Sequence, residues 1–250
     1  MISMVMSYYN RLRQFDFTLS TIAQSAYKNY EIVIVDDFSD QDHDPSILQK
    51  KYSQINIRII RMKDVYDHKW YINPCIPYNV GFRASQGSAI IIQNPECCHV
   101  GDVLSHCAAN VTDQVYLSYH CWSCTKDDLK LLHDNQPLDY QYKPKATWYN
   151  HQIHRPESFH FCTALTRQNL KMLNGFDERF AQGFSYDDTE FIQRVKNLGL
   201  KIDFVANPHV VHQPHPKSLK FNDAKIDNKA LYFSLKETGL VSAPNQEIII

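Results

Sequence analysis

The sequence predicts an α/β domain with a mostly parallel central sheet flanked by helices, and a smaller subregion in its second half. Two observations support this. Apolar runs of strand length alternate with stretches of helical spacing over the first half of the chain, with short connections. Two of these runs, residues 31–35 and 89–92, are almost continuously apolar, as expected of parallel strands that helices cover on both faces.

The elements of the first half alternate regularly. The predicted strands are residues 3–8, 31–35, 55–61 and 89–92, and the predicted helices between them are 18–26, 44–52 and 77–85. Polar residues follow two of the strands directly, at Asp36–Asp37 and at Gln93–Glu96. Because ligands of parallel α/β sheets bind beyond the carboxyl ends of the strands, these residues lie where a ligand should bind.

The second half is less regular. Residues 127–155 are rich in Tyr, His, Pro, Lys and Asn, and we expect them to form a long functional loop. Order resumes with a strand and a helix over 159–174, a loop over 175–183, a helix over 189–198 and a strand over 201–206. His209, His212 and His215 are expected to follow that last strand in a loop that prolines interrupt.

Length and composition exclude several classes of protein. The chain has 250 residues, of which 44% are apolar and 21% charged, which is typical of a globular protein. A net charge of -1 argues against general affinity for nucleic acid or anionic membrane. No apolar run approaches the roughly 18–20 residues that cross a bilayer. The first residues also lack the basic and long apolar parts of a signal peptide, so we expect a cytoplasmic protein with no transmembrane segment.

The seven cysteines are an odd number, so at least one has no partner for a disulfide within the chain. We expect them to be reduced and to behave as small apolar residues. Cys121 and Cys124 form a single Cys-x-x-Cys pair. The alternative interpretation of this pair is half of a zinc site or a redox dithiol.

Three acidic clusters are candidates for chemistry, and each has a structural alternative. Asp36–Asp37 suits a ligand site, or equally a turn and a helix cap. Glu96, close to Asn94, offers oxygen ligands for Mg²⁺ or Mn²⁺ facing a diphosphate, or forms a turn. Asp187–Asp188 at a helix start supplies a general base, or offsets the helix dipole. Of the three late histidines we expect one metal ligand at most, the others being surface or supporting residues.

Five motifs in order resemble family-2 glycosyltransferases of the GT-A fold, over residues 2–215. The motifs are Ser3–Arg11 with its Tyr-Asn-Arg turn, Glu31–Asp40 with its Asp-Asp-x-Ser end, Asn79-Val80-Gly81 with Gly87, Gly175-Phe176-Asp177-Glu178, and Asp187-Asp188-Thr189-Glu190-Phe191. The resemblance implies one domain over 1–215, with a nucleotide-binding half at 1–105 and an acceptor-binding and catalytic half at 106–215. Residues 216–250 then form a C-terminal extension.

The resemblance also implies a role for each matching residue. Donor-binding residues are expected to be Ser7, Tyr9, Asp37, Asn79 and Asn94, the first three holding the nucleobase and ribose. Asp188 is the expected catalytic base with Asp187 beside it, and Glu96 and His212 are the expected ligands of Mn²⁺ or Mg²⁺. Asn94 is a departure, because the family has its first metal-motif Asp there.

The expected activity is transfer of a sugar from a nucleoside-diphosphate sugar to an acceptor hydroxyl, with inversion. The family favours a UDP-sugar donor, and the acceptor is a glycan, a glycolipid or a glycoprotein. The alternative is a GT-A module that binds nucleotide-sugars with little or no catalysis, of which Asn94 is the first sign. A nucleotidyltransferase is disfavoured, because Tyr9-Asn10-Arg11 does not supply a Gly-rich phosphate loop. Residues 148–155 form either a sugar-binding wall or part of the core.

Overall fold

The computed structural model describes residues 1–134, 136, 145–216 and 224–246. The strands within these residues are β1 (Ile2–Tyr8), β2 (Tyr30–Asp36), β3 (Ile57–Arg61), β4 (Ala89–Gln93), β5 (Cys97–Val100), β6 (Val115–Ser123), β7 (Trp148–Asn150), β8 (Cys162–Thr166) and β9 (Lys201–His212). The α-helices are α1 (Leu12–Ile22), α2 (Ser46–Lys51), α3 (Met62–Val65), α4 (Cys75–Ala84), α5 (Val103–Asn110), α6 (Lys126–His133), α7 (Arg167–Leu173), α8 (Asp187–Asn197) and α9 (Asn228–Leu235).

The strands form a single mixed sheet in the order β3-β2-β1-β4-β8-β6-β9-β5, with β7 paired to β6. The first four strands in this order are parallel to one another, as are β6 and β9. Strand β8 is antiparallel to both β4 and β6, and β5 is antiparallel to β9. The four parallel strands therefore all end at the same edge of the sheet, and this is the edge where the sequence predicts a ligand.

Helices cover both faces of the sheet, and side chains alternate between two cores as strand geometry requires. In β1, Met4 and Met6 enter the core beneath α1, α2 and α5, whereas Val5 enters the core beneath α4, α7 and α8. Helix α4 lies close to the sheet because Gly81 has no side chain. A Cβ atom at this position would lie 2.4 Å from Cγ1 of Val5. The α/β class with a largely parallel sheet is confirmed.

The predicted elements of the first half are confirmed to within a few residues, except that α1 begins at Leu12 rather than at residue 18. The loop expected over 127–155 is wrong at both ends, because α6 covers Lys126–His133 and β7 covers Trp148–Asn150. Thr125 starts α6 with a capping box that Asp128 completes. Positions 135 and 137–144 of the expected loop lie outside the described residues.

Strand β9 is longer than predicted, since it continues from Lys201 to His212 instead of ending at residue 206. Its second part pairs with both β5 and β6, and it contains a cis peptide bond between Asn207 and Pro208. His209 and His212 therefore belong to the strand rather than to a loop.

Residues 224–246 pack against the second half of the domain. Lys225 N donates to Gln182 O, and Ala243 N donates to Leu173 O. No helix of the described residues combines the length and apolar character that a bilayer crossing needs. The seven cysteines, all within the described residues, are buried as thiols.

Candidate active site

A cavity of about 580 Å³ opens where the parallel strands β1, β2 and β4 end. Ser7 and Tyr9 reach it from the end of β1, Asp37 from the end of β2, and Asn94 and Glu96 from the turn after β4. This volume is ordinary for a small-molecule site. The polar residues that follow two separate strands in the sequence are thus brought into one cavity by the parallel register.

The two carboxylate oxygens of Asp37 accept hydrogen bonds from a lysine ammonium group and from a tyrosine hydroxyl. Lys69 Nζ donates to Oδ2 at 2.5 Å, and the Tyr71 hydroxyl donates to Oδ1 at 2.6 Å. Burial, reinforced by the charge of Asp37, raises the pKa of Tyr71 well above its usual range. Lys69 Nζ also lies 5.3 Å from the centroid of the Tyr9 ring. This corner of the cavity offers an acceptor, a cationic donor and an aromatic face.

Glu96 lies between two histidines. Its Oε1 is 3.3 Å from His212 Nε2 and 3.4 Å from His215 Nε2. One ligand atom from each of the three residues lies within 4.8 Å of the others. Burial would raise the pKa of Glu96, but hydrogen bonds from both histidines outweigh it and hold that pKa well below its usual range. The sequence analysis expects one metal ligand at most among the late histidines, whereas two of them, His212 and His215, lie about equally close to Glu96.

The segment that carries both histidines is anchored through Gln213. This buried side chain donates from Nε2 to Gln14 O at 2.9 Å and to Thr18 Oγ1 at 3.0 Å, both in α1. Its backbone N–H donates to Glu96 O at 3.0 Å. His212 and His215 therefore flank a residue that is tied to α1 and to the Glu96 turn.

Arg11 adds a cation next to Glu96, with its Nε 4.0 Å from Glu96 Oε2, and it also lines the cavity. Asn94 lines the cavity too, but its Oδ1 accepts the hydroxyl hydrogen of Tyr78 at 2.9 Å. The side-chain amide of Asn94, at a position where the family has a carboxylate, therefore already accepts a hydrogen bond from another residue of the protein.

Asp187 and Asp188 are the first two residues of α8. Asn73 Nδ2 donates to Asp187 Oδ1 at 2.9 Å, and Asp188 Oδ1 contacts His160 Nδ1. Burial, together with the charge of Asp188, raises the pKa of Asp187 to about 6. His160 lines the cavity, so Asp188 lies one side chain away from the cavity wall.

Asn79 lies outside the cavity and is fully buried. Its Oδ1 accepts from Phe176 N at 2.9 Å, and its Nδ2 donates to Phe176 O and to Glu178 Oε1. The expected donor contact does not fit this position. Asn79 instead holds the loop that precedes α8.

Trp148 belongs to the core, since it packs with Trp122 in a third apolar cluster and is 3% exposed. Tyr149 stacks on Phe161 at 4.5 Å between ring centroids and meets the edge of the His212 ring. Residues 148–155 were expected to form either a sugar-binding wall or part of the core. Trp148 is part of the core. Tyr149 contacts His212 from outside the cavity.

A sequence model of "Glycosyl transferase family 2" matches residues 3–170, more than half of the chain. The chain belongs to glycosyl transferase family 2. It is therefore an enzyme that uses a nucleotide-sugar donor. A second model, "N-terminal domain of galactosyltransferase", matches residues 145–216, the part that contains Asp188, His212 and His215. No curated protein matches the chain.

Three of the solved structures with similar folds contain a nucleotide or a nucleotide-sugar. Residues 1–349 of S. aureus TarS with UDP-GlcNAc align at a TM-score of 0.69 and 15% identity, over 98% of this chain and 68% of that one. Mannosyltransferase PcManGT from Pyrobaculum calidifontis, with GDP-Man and Mn²⁺, aligns at 0.57 and 14%, over 84% and 56%. Glucosyl-3-phosphoglycerate synthase from Mycobacterium tuberculosis, with Mn²⁺, UDP and glucosyl-3-phosphoglycerate, aligns at 0.53 and 12%, over 86% and 72%. At these identities the likeness concerns the fold.

In this family 2 glycosyltransferase, four residues at the site had no role assigned to them from the sequence motifs. They are Arg11, Lys69, His160 and His215. Lys69 lies in an irregular stretch, and Arg11 reads as part of a turn. His160 precedes a strand with no motif around it, and His215 sits between two prolines. Only His215 gave a usable signal, because it repeats the three-residue spacing of His209 and His212.

Proposed function

We propose that this family 2 glycosyltransferase transfers a sugar from a UDP-sugar to an acceptor hydroxyl with inversion, assisted by Mn²⁺ and with Asp188 as general base. The observation that carries the proposal is the cavity that joins Asp37, Glu96 and His160. Asp37 serves recognition of the nucleobase and Glu96 serves neutralisation of the diphosphate. His160 contacts Asp188, the base that removes the acceptor proton.

The Asp37 corner favours a base with a ring N–H beside a carbonyl group. Asp37 accepts from that N–H, Lys69 donates to the carbonyl oxygen, and the exposed ring of Tyr9 stacks on the base. Uracil and guanine have this pattern, whereas cytosine and adenine lack the ring N–H. Ser7 lines the same wall and offers a hydroxyl to the ribose. Uracil is the choice that the family favours.

Glu96, His212 and His215 form a donor set that fits a divalent transition metal. Three ligand atoms converge, and Nδ1 of His212 is buried without a partner among the described residues, so Nε2 is the nitrogen that faces Glu96. Mg²⁺ prefers oxygen ligands, whereas imidazole suits transition metals, so this set favours Mn²⁺ over Mg²⁺. A divalent ion held there would supply positive charge to the diphosphate of the donor. Two of the similar structures contain Mn²⁺.

The acceptor side is assigned to the first turn of α8. Asp188 takes the proton of the acceptor hydroxyl as its oxygen attacks the anomeric carbon. Arg11 lies near the expected position of the diphosphate, which leaves from the opposite face of the sugar, and a single displacement of this kind inverts the configuration. Asp187, held by Asn73, orients the sugar or the acceptor. The acceptor is a hydroxyl of a glycan, a glycolipid or a glycoprotein.

The test is a screen of UDP-, GDP-, CMP- and ADP-sugars with Mn²⁺ and mixed glycan acceptors. It compares the wild type with Asp188→Asn and with Asp127→Asn, an exposed aspartate in the first turn of α6. We expect wild type and Asp127→Asn to release UDP, and Asp188→Asn to lose about 10²- to 10⁴-fold in turnover while still binding donor.

Three results would contradict parts of this proposal. Full turnover by Asp188→Asn would remove the assigned base. Metal-dependent binding without turnover of any donor would favour the nucleotide-sugar-binding module, to which Asn94 points. Absence of nucleotide binding by the wild type would refute the proposed function.

A further inference from the structure

His160, which lies outside the five motifs, contacts Asp188, which belongs to one of them. His160 Nδ1 contacts Asp188 Oδ1, and both atoms are buried. The side chain of His160 is 10% exposed and that of Asp188 is 26% exposed, so the carboxylate still reaches solvent. Because a carboxylate only accepts hydrogen bonds, Nδ1 must carry the hydrogen that lies between them.

Two aromatic rings fix the imidazole of His160. Tyr78 meets it edge to face at 4.9 Å between ring centroids and 71°, and Phe176 does so at 5.2 Å and 73°. Tyr78 comes from α4, and Phe176 comes from the loop that Asn79 holds. The ring therefore cannot turn away from Asp188 without disturbing the packing of both elements.

We propose that His160 is a positioning residue for Asp188 and sets the pH range of the reaction. The neutral imidazole donates its Nδ1–H to Asp188 Oδ1 and holds the second oxygen of the carboxylate ready for the acceptor hydroxyl. An imidazolium at the same place binds the carboxylate as an ion pair and makes it a poorer base. The inference rests on the proposed role of Asp188 and adds a second residue to it.

The reaction balances with no further reagent. The acceptor O–H bond breaks, its proton goes to Asp188, and its oxygen forms the bond to the anomeric carbon. The bond between that carbon and the diphosphate oxygen breaks, and its electron pair leaves with the nucleoside diphosphate. The proton stays on Asp188, whose other oxygen still accepts the Nδ1–H of His160, until it is lost to water.

Charged groups on two sides face His160. Asp188 and Asp187 face it from α8, and Glu96 faces it from the turn after β4. Burial would lower the pKa of His160, but these carboxylates, led by Asp188, outweigh burial and raise it above 6.5. The active form is the neutral imidazole beside the carboxylate, so kcat/KM rises with pH through the titration of the pair and is lost below it.

The kinetic test uses His160→Asn, which keeps an N–H close to the position of Nδ1 but cannot titrate. His106→Asn is the matched control, because His106 Nδ1 also meets a single partner, the Tyr119 hydroxyl at 3.2 Å, away from the cavity. We expect His160→Asn to retain donor affinity and to lose roughly 10- to 100-fold in kcat. The acid limb of its kcat/KM profile should move to lower pH, because no imidazole titrates beside the base in this variant.

A second measurement does not depend on turnover. NMR titration of ¹³C-labelled histidine follows the imidazole of His160, assigned by the signal that His160→Asn lacks. We expect the pKa of this imidazole to be lower in Asp188→Asn than in the wild type, because the variant removes the largest charge that opposes the effect of burial.

The two measurements separate the failure of this inference from failure of the proposed function. Wild-type kcat and pH profile in His160→Asn, with Asp188→Asn inactive, would overturn the role of His160 and leave Asp188 as base. Unchanged titration of His160 in Asp188→Asn would overturn it as well. If no donor were turned over, the proposed function would fail, and the titration would still decide whether the pair exists.

Discussion

Replacement of His215 by Ala tests whether this histidine, which was expected to be a surface or supporting residue, is a metal ligand together with Glu96 and His212. In the structure, Glu96 Oε1 is almost equidistant from His212 Nε2 and His215 Nε2, at 3.3 and 3.4 Å. The two imidazoles are therefore equivalent candidates, and His215→Ala leaves two of three protein ligands. Loss of groups that merely support a ligand costs about 10- to 100-fold in metal affinity. For a direct ligand we expect about 100-fold, or ~2.8 kcal/mol.

The assay is a titration of the full chain with Mn²⁺, followed by the electron paramagnetic resonance of the free ion. His212→Ala should show a loss similar to that of His215→Ala, and His68→Ala, an exposed histidine, should bind as the wild type does. If His215→Ala bound Mn²⁺ within about threefold of the wild type while His212→Ala did not, the argument from equal distances would be refuted.

Three further predictions concern the other parts of the site. Asp37→Asn should raise the Kd for UDP by roughly 10- to 100-fold in calorimetry, because a hydrogen bond to a charged group contributes about 1.5–3 kcal/mol; an unchanged Kd would argue against base recognition there. Asn228→Ala should lower kcat with little change in donor Kd, because Asn228 Nδ2 donates to Phe180 O and Ser185 O just before α8; a parallel loss of donor binding would point to general unfolding. The pKa of Asp187 is raised to about 6, so the folded state holds a proton that the unfolded state has lost. Its contribution to stability should therefore fall as pH rises from about 4 to beyond 6, and denaturation at several pH values should show a less negative pH slope for Asp187→Asn.

The strand-end residues could be predicted from the sequence because topology alone places them. Asp37 and Glu96 each follow an apolar run, and the parallel order of β1, β2 and β4 brings the strand ends to one edge. No side-chain geometry was needed for that step. The same is true of Asp187 and Asp188, which the helical pattern after them places at the start of α8.

The partners of these residues could not be predicted, because they depend on contacts distant in sequence. Lys69 reaches Asp37 across 32 positions, from a stretch with no periodic pattern. His160 reaches Asp188 from the residues before β8. A spacing of three residues in a segment that prolines interrupt cannot reveal that both His212 and His215 lie next to Glu96.

Strand β6 was missed although its sequence carries a strand signal. Val115–Ser123 contains Val, Leu, two Tyr and one Trp in nine residues, a composition that favours strands. The continuation of β9 past Pro208 was hidden by the proline, which usually interrupts central strands. The division of the chain at residue 215 and the cytoplasmic location stay predictions.

The anchoring of Gln213 makes the three-residue cluster around Glu96 a property of the intact chain. Glu96 lies in residues 1–105, whereas His212 and His215 lie more than a hundred residues later. They flank Gln213, whose side chain donates to Gln14 and Thr18 of α1. A fragment that ended at residue 105 would keep Asp37 and Glu96 but would lack both His212 and His215. The strand that follows Glu96 also pairs with the strand that ends at His212, because Cys97 of β5 lies opposite His212 of β9. The proximity of Glu96 to both histidines therefore depends on sheet pairing between the first and the last parts of the domain.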